Sequence, residues 1–165
     1  DFKKNTTFQS MRLTTLSFLR PRILWILLSS TVASFQLSAE TAIPLGSTWT
    51  YLDDGSDQGS AWRALSFDDA AWSTGTARLG YGDDGEVTAL QANHITYYFR
   101  KVIQLNGGVD AASLDLLYDD AAIVYVNGVE VYRTVFMPAG PVDYLTPSTD
   151  YVIDGDTDSG VSLNP

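Results

Sequence analysis

Acidic side chains are the residues of this chain with the greatest capacity for chemistry. Pairs of adjacent Asp residues occur at 53–54, 68–69, 83–84 and 119–120. Glycoside hydrolysis needs two carboxyl groups that face each other across a cleft at about 5–10 Å. Neighbouring residues of a strand point to opposite faces of a sheet, so an adjacent pair does not form such a dyad. We therefore expect these residues to form turns, in which Asp bonds its own backbone.

Nucleophilic and zinc-dependent chemistry lack the residues that they need. The chain has one His, His94, and no Cys. The sequence therefore contains no His-rich zinc motif of the His-Glu-x-x-His kind. A Ser-His-Asp triad is formally possible, but no Gly-x-Ser-x-Gly elbow is present. The sequence predicts that His94 is an ordinary loop or edge residue and that this chain is not an enzyme.

Calcium binding is the better chemical hypothesis. Asp154, Asp156 and Asp158 stand at alternate positions of a polar segment, and carboxylate oxygens are the ligands that hard cations prefer. The loop that contains Asp53 and Asp57 is a second candidate. Neither segment has the spacing of an EF-hand loop. The alternative is a solvated acidic linker, and a structural calcium ion is the only cofactor that the sequence suggests.

Aromatic residues are the candidates for binding a sugar. The apolar face of a sugar ring stacks on an exposed aromatic side chain, while neighbouring polar groups bond its hydroxyls. We predict exposed platforms at Tyr81, Tyr98 and Tyr144, with Arg100 on the same wet strand face as Tyr98. Trp49 lies in a predicted strand and is expected in the core.

The charge of the chain excludes several classes of partner. The net charge is −10, and the part after residue 39 holds five basic and 19 acidic residues, a net charge of −14. Such a surface repels nucleic acids and anionic membranes. We expect no nucleic-acid partner, and without Cys the domain needs no disulfide outside the cell.

Residues 11–39 have the pattern of a bacterial-type secretory signal peptide, which we expect to be helical. Basic residues precede an apolar core at 23–28, and small residues lead to a cleavage site after Ala39. This predicts a secreted or periplasmic protein, with residues 1–10 as unstructured upstream sequence. A membrane anchor is the alternative, but the apolar core is shorter than the roughly 20 residues of a span. We expect no stable membrane insertion after cleavage.

Short strands separated by turns predict an all-β domain. Residues 48–52 are rich in β-branched and aromatic side chains, and residues 95–105 alternate between apolar and polar positions. Between them, Ser66 and Asp69 have capping-box spacing, which predicts a helical turn from Phe67 to Trp72.

The most informative segment is 114–133, which predicts three consecutive strands. Asp119 and Asp120 form the first turn between them. Asn127 and Gly128 form the second, because a type I′ turn needs positive φ at both central residues. This pattern is typical of an antiparallel β-sandwich or jelly roll.

These motifs together resemble the galactose-binding-like jelly-roll modules of secreted bacterial hydrolases. The residues that carry the resemblance are Trp62, Arg63, Phe67, Asp68, Asp69, Trp72 and Gly75, then residues 97–101, then Asp119, Asp120, Asn127, Gly128 and Arg133. The resemblance implies a galactose-binding-like sandwich over residues 40–153. Further closing strands are expected in such modules, so residues 154–165 are predicted to be an acidic linker that leads into a missing strand, and the chain to be an N-terminal fragment.

Two functions follow from this interpretation. The first is a non-catalytic carbohydrate-binding or accessory module of a larger secreted enzyme, whose partner is a glycan or the catalytic domain of the parent enzyme. The second is a structural or adhesion module that binds a protein or a surface. The sequence alone does not choose between them, because a fold does not imply a function.

Overall fold

The computed structural model describes residues 7–17, 38–82, 85–105, 109–152 and 156–163. Within these ranges the chain is all-β, with eleven strands and one short 3-10 turn at Ala61–Arg63. The strands are β1 Thr7–Ser17, β2 Ser38–Ile43, β3 Thr48–Leu52, β4 Ser73–Thr76, β5 Leu79–Gly80, β6 Thr88–Ala89, β7 Tyr98–Arg100, β8 Ala111–Asp119, β9 Ile123–Val126, β10 Val129–Arg133 and β11 Asp156–Leu163. The predicted all-β class is confirmed.

The largest sheet is built around β1 and β8. Its strand order is β11-β8-β1-β5-β6, and β2 pairs with the other end of β1. All of these pairs are antiparallel except β5 with β6. The long β8 therefore has a hydrogen-bonded neighbour on each side, which explains why it carries the deepest part of the core.

Alternation along β8 builds that core. Leu114, Leu116 and Tyr118 share one face of the strand and are almost completely buried, while the residues between them are half-buried. Leu79 of β5 is fully buried in the same cluster. Burial of this much apolar area is the main stabilising contribution to the fold.

A second sheet has the order β4-β3-β7. Trp49 of β3 is buried, as the sequence predicts. The long strand expected at 95–105 is wrong, because only Tyr98–Arg100 pair with β3. The physical reason is that the consecutive residues Tyr97 and Tyr98 are both buried. This segment therefore does not have one apolar face and one solvent-exposed face.

The hairpin of β9 and β10 forms as the sequence predicts. Asn127 has φ of 50° and Gly128 has φ of 84°, which are the positive values of a type I′ turn. At the other end of the hairpin, Thr134 and Ala122 close the ladder. The Thr134 amide donates to the Ala122 carbonyl, and the Ala122 amide donates to Thr134 Oγ1.

The predicted helical turn from Phe67 to Trp72 is wrong. The short helix lies earlier, at Ala61–Arg63, and residues 67–69 are irregular. Asp68 Oδ1 accepts a hydrogen bond from the Ala70 amide at 3.1 Å, so its carboxylate bonds the backbone two residues ahead. This local Asx-type bond competes with helix formation, which explains the difference.

The two ends of the described chain are strands. Thr7–Ser17 form β1, so the predictions of an unstructured segment at 7–10 and of a helix at 11–17 are wrong. The apolar core at 23–28 lies outside the described residues. The segment predicted as an acidic linker contains β11, which pairs with β8. Among the residues that the structure describes, no helix is long and apolar enough to span a membrane.

Candidate binding cleft

A cleft of about 580 Å³ opens between the β3–β7 sheet and the β9–β10 hairpin. The 3-10 turn, the strand β7 with its flanking residues, the segment 121–127 and the loop 137–148 all contribute to its lining. A volume of this size is within the range of small-molecule sites, which are concave and largely apolar with a few polar groups. The fold thus brings segments that are distant in the sequence to one concave surface.

Three rings form an aromatic cluster in the lining, Trp62, Tyr98 and Tyr125. The Trp62 ring lies edge-on to Tyr98 at 5.1 Å and to Tyr125 at 5.7 Å between centroids. Such edge-to-face pairs contribute about 0.5–1.5 kcal/mol each beyond the area that they bury. Burial raises the pKa of Tyr98 and that of Tyr125, so both phenols are neutral hydrogen-bonding groups at physiological pH.

Arg63 lies against this aromatic cluster. Its guanidinium carbon is 4.2 Å from the centroid of the Tyr125 ring and 5.8 Å from that of Trp62. The Nε atom is buried and has no hydrogen-bond acceptor. A buried donor without a partner is costly, so this guanidinium would gain from an acceptor supplied by a water, an ion or a ligand.

Arg100 has a different role, because it holds the 3-10 turn against β7. Its Nε donates to Asp69 Oδ2 at 2.8 Å, and the side chain is only 9% exposed. Its Nη1 donates to the carbonyls of Trp62 and Ala64. This guanidinium therefore positions the backbone on which Trp62 and Arg63 stand.

Of the four residues predicted as ligand contacts, three line the cleft and one does not. Tyr98, Arg100 and Tyr144 line the cleft, whereas Tyr81 lies outside it, near Tyr97 at 6.0 Å between ring centroids. Tyr98 is 5% exposed, so its prediction as an exposed platform is wrong. Its ring is covered by Trp62 and Trp72, a tertiary contact that strand parity does not reveal.

The sequence did not identify Trp62, Arg63 or Tyr125 as ligand contacts, and Trp62 was expected only to pack the turn onto the sandwich. Arg63 occurs in the motif that carries the resemblance, but nothing local to it indicates a stacked guanidinium. Tyr125 lies in the strand before the Asn-Gly turn, and only its pairing with Arg63 gives it a place in the site. No signal in the sequence alone shows this contact, because it forms only when the two segments meet in the fold.

The predicted metal ligands do not converge in the part of the chain that the structure describes, where no group of three or more His, Asp or Glu residues could hold an ion. Asp53 Oδ2 accepts the Gln91 amide at 2.7 Å, and Asp57 Oδ1 accepts the Gly59 amide at 2.7 Å. Asp158 Oδ2 accepts the Tyr132 hydroxyl. The side chains of Asp154 and Asp156 lie outside the described residues, so calcium binding there stays a prediction.

The acidic pair at the end of β8 is buried rather than solvated. Asp119 and Asp120 are almost inaccessible to solvent, and Asp120 Oδ1 accepts the Val152 amide at 3.1 Å. His94 is half-buried, and its amide donates to the Tyr97 hydroxyl. The Asp120 carboxylate thus joins residue 152 to the end of β8, and the His94 backbone is held at Tyr97.

Comparison of the chain with protein-family models, with curated proteins and with solved structures finds no match. Function must therefore be argued from the cleft itself.

Proposed function

We propose that this chain is a non-catalytic carbohydrate-binding or accessory module of a larger secreted enzyme, with a galactose-binding-like jelly-roll fold. The observation that carries the proposal is the cleft lined by the half-buried rings of Trp62 and Tyr125, with the buried Tyr98 packed against Trp62. Aromatic rings beside polar groups suit a sugar, whose C–H faces are apolar and whose hydroxyls need hydrogen-bond partners. Export is part of the proposal and rests on the basic and apolar pattern of residues 11–39 alone. The fold does not add support, because cleavage after Ala39 would remove β1 from the sheet that it forms with β8.

Polar groups for the sugar hydroxyls are present in the same lining. The lining residues Asp57 and Asp143 carry carboxylates, Asn127 an amide, and Ser148 a hydroxyl. One oxygen of each carboxylate accepts a backbone amide, which leaves the other oxygen for a ligand. The groups stand on three segments, because Asp143 and Ser148 share the loop 137–148, and a ligand that bridges these segments would be held in one orientation. Such convergence of a few polar groups on an apolar surface gives a small-molecule site its specificity.

Calorimetric titration with a panel of soluble oligosaccharides tests this proposal. We expect saturable binding, and Tyr144→Ala should weaken it at least tenfold, because this half-buried ring lines the cleft. Tyr151→Ala is the matched control, since Tyr151 is exposed and does not line the cleft. Equal loss in both variants, or no binding to any saccharide by the folded protein, would refute the proposal.

A protein-binding or adhesion module is the second candidate. Leu65, Val126 and Val129 are exposed apolar residues on the 3-10 turn side of the cleft and on the hairpin. Exposed apolar groups near a concave surface are typical of protein interfaces as well as ligand sites. Replacing Val129 by Lys would abolish binding to a protein partner while leaving saccharide binding unchanged, which separates the two candidates.

A further inference from the structure

The cleft contains a cationic group that has no anionic partner among the described residues. No carboxylate or carbonyl there accepts a hydrogen bond from Arg63, and its Nε is buried without an acceptor. The other cationic side chains of the lining already have hydrogen-bond acceptors within the protein. Arg100 is paired with Asp69, and Lys101 donates to the Thr48 carbonyl at 2.7 Å.

The acidic residue on the neighbouring hairpin is also occupied. Both oxygens of Glu130 accept hydrogen bonds from Arg133, each at 2.8 Å. These bonds lower the pKa of Glu130, and the charge of Arg63 makes a smaller contribution in the same direction. Glu130 is thus committed to another guanidinium, although Arg63 is close enough for its charge to act on this carboxylate.

We propose that the cleft selects an anionic saccharide, one that carries a carboxylate or sulfate group within reach of Arg63. This inference rests on the proposed function and names the class of its ligand. The Arg63 guanidinium lies over the Tyr125 ring, and the donors of a guanidinium match two oxygens of an oxyanion in a bidentate pair. The ring of the same saccharide would pack against the aromatic cluster beside it.

The net charge of the protein cannot explain a preference for an anionic saccharide. A net charge of −10 repels polyanions at long range, so general electrostatic attraction does not explain a preference for an acidic ligand. A preference for the charged form must come from a short-range contact with a cation in the cleft, and this contact must outweigh repulsion from the lining carboxylates of Asp57 and Asp143. Among the described residues of the lining, Arg63 is the cation that forms no ion pair and whose Nε has no hydrogen-bond acceptor.

The test compares matched pairs of ligands by calorimetry. Each uronic-acid oligosaccharide is titrated beside its carboxyl-reduced counterpart of the same length and linkage, and each sulfated oligosaccharide beside its desulfated form. We expect at least one charged member to bind tenfold or more tightly than its neutral counterpart. The uronate and sulfate arms identify which oxyanion is recognised.

Variants then assign the preference to Arg63. Arg63→Gln should bind both members of the pair with equal affinity, and Arg63→Lys should keep part of the preference, because it retains the charge without the planar donors. Arg78→Gln is the control, since it removes the same charge at a residue outside the lining. Thermal melting checks that each variant is folded.

The outcomes separate this inference from the proposed function. If charged and neutral saccharides bind equally, or if Arg63→Gln keeps the preference, the inference is overturned while saccharide binding stands. If no saccharide of either kind binds the folded protein, the proposed function falls as well.

Discussion

The guanidinium of Arg63 lies 4.2 Å from the ring centroid of Tyr125, so a side chain of the 3-10 turn stacks on a residue of the β9–β10 hairpin. Both residues line the cleft. Cation–π contacts of this kind contribute about 0.5–2 kcal/mol, depending on how far the pair is desolvated. The contact joins the 3-10 turn to the hairpin, which share no strand pairing, and it places the guanidinium beside the aromatic cluster.

Replacing Arg100 by Gln should destabilise the protein by about 2–4 kcal/mol, because the change leaves Asp69 and two carbonyls without their charged donor. Urea unfolding at neutral pH measures the loss. Glu130→Gln is the matched control, since it breaks the more exposed Arg133–Glu130 pair and should cost less than about 1 kcal/mol. Equal losses in the two variants would show that Arg100 does not hold the 3-10 turn.

Replacing Gly75 by Ala should destabilise β4 by about 1–3 kcal/mol through overpacking. A Cβ at this position would lie 2.5 Å from Thr88 Cγ2 and 2.7 Å from Thr88 Oγ1. Thr88→Ala removes both atoms, so the double variant should be more stable than the sum of the single losses predicts. A double-mutant cycle of unfolding free energies measures this coupling, and strict additivity would contradict the contact.

Tyr97 should make stability fall at alkaline pH. Burial raises its pKa above the usual value of about 10, so the unfolded chain loses this proton first as the pH rises. Its contribution to stability is therefore complete below about pH 10 and decreases above it, by up to about 1.4 kcal/mol per pH unit.

Tyr97→Phe tests this linkage. The variant should lose about 1–3 kcal/mol at neutral pH, because the hydroxyl donates to the Gln91 carbonyl at 2.7 Å and accepts from the His94 amide. Above pH 10 its unfolding free energy should decline less steeply than that of the wild type. Parallel curves for the two proteins in urea titrations between pH 8 and about 11 would contradict the role of burial.

Calcium should stabilise the protein if the sequence pattern at Asp154, Asp156 and Asp158 is a binding site. With a Kd of about 10⁻⁴–10⁻³ M, as in extracellular modules, calcium at about 10 mM would add roughly 1.4–2.7 kcal/mol. Thermal melting with calcium and with EDTA measures the effect, and Asp158→Asn should reduce it. Identical melting of the wild type in both buffers would remove the calcium hypothesis.

Local signals in the sequence predicted the hairpin, whereas tertiary contacts decided the site. Asn127 and Gly128 prescribe their own backbone geometry, so the turn was readable without any other part of the chain. The exposure of Tyr98 was not readable, because Trp62 and Trp72 cover it from another segment. The place of Arg63 in the cleft was not readable either, because it depends on a contact with Tyr125 in another segment.

The same distinction explains the acidic residues. Asp68 behaves as a local turn former, as expected from its side chain. Asp120 instead reaches across the fold to the Val152 amide, a partner that spacing in the sequence cannot indicate. Sequence patterns thus predict local backbone geometry and the all-β class, but not which distant segments meet at the cleft.

Saccharide binding in the cleft is tested most directly by NMR on the isotope-labelled protein during titration with the tightest-binding oligosaccharide. We predict that the largest shift changes occur at the Trp62 indole N–H, the Arg63 Nε–H and the Tyr125 amide, which all belong to the lining of the cleft. Tyr81 and Tyr151, outside the lining, should change little. Shift changes centred on those two residues, or none at saturating ligand, would contradict the assignment of the cleft as the binding site.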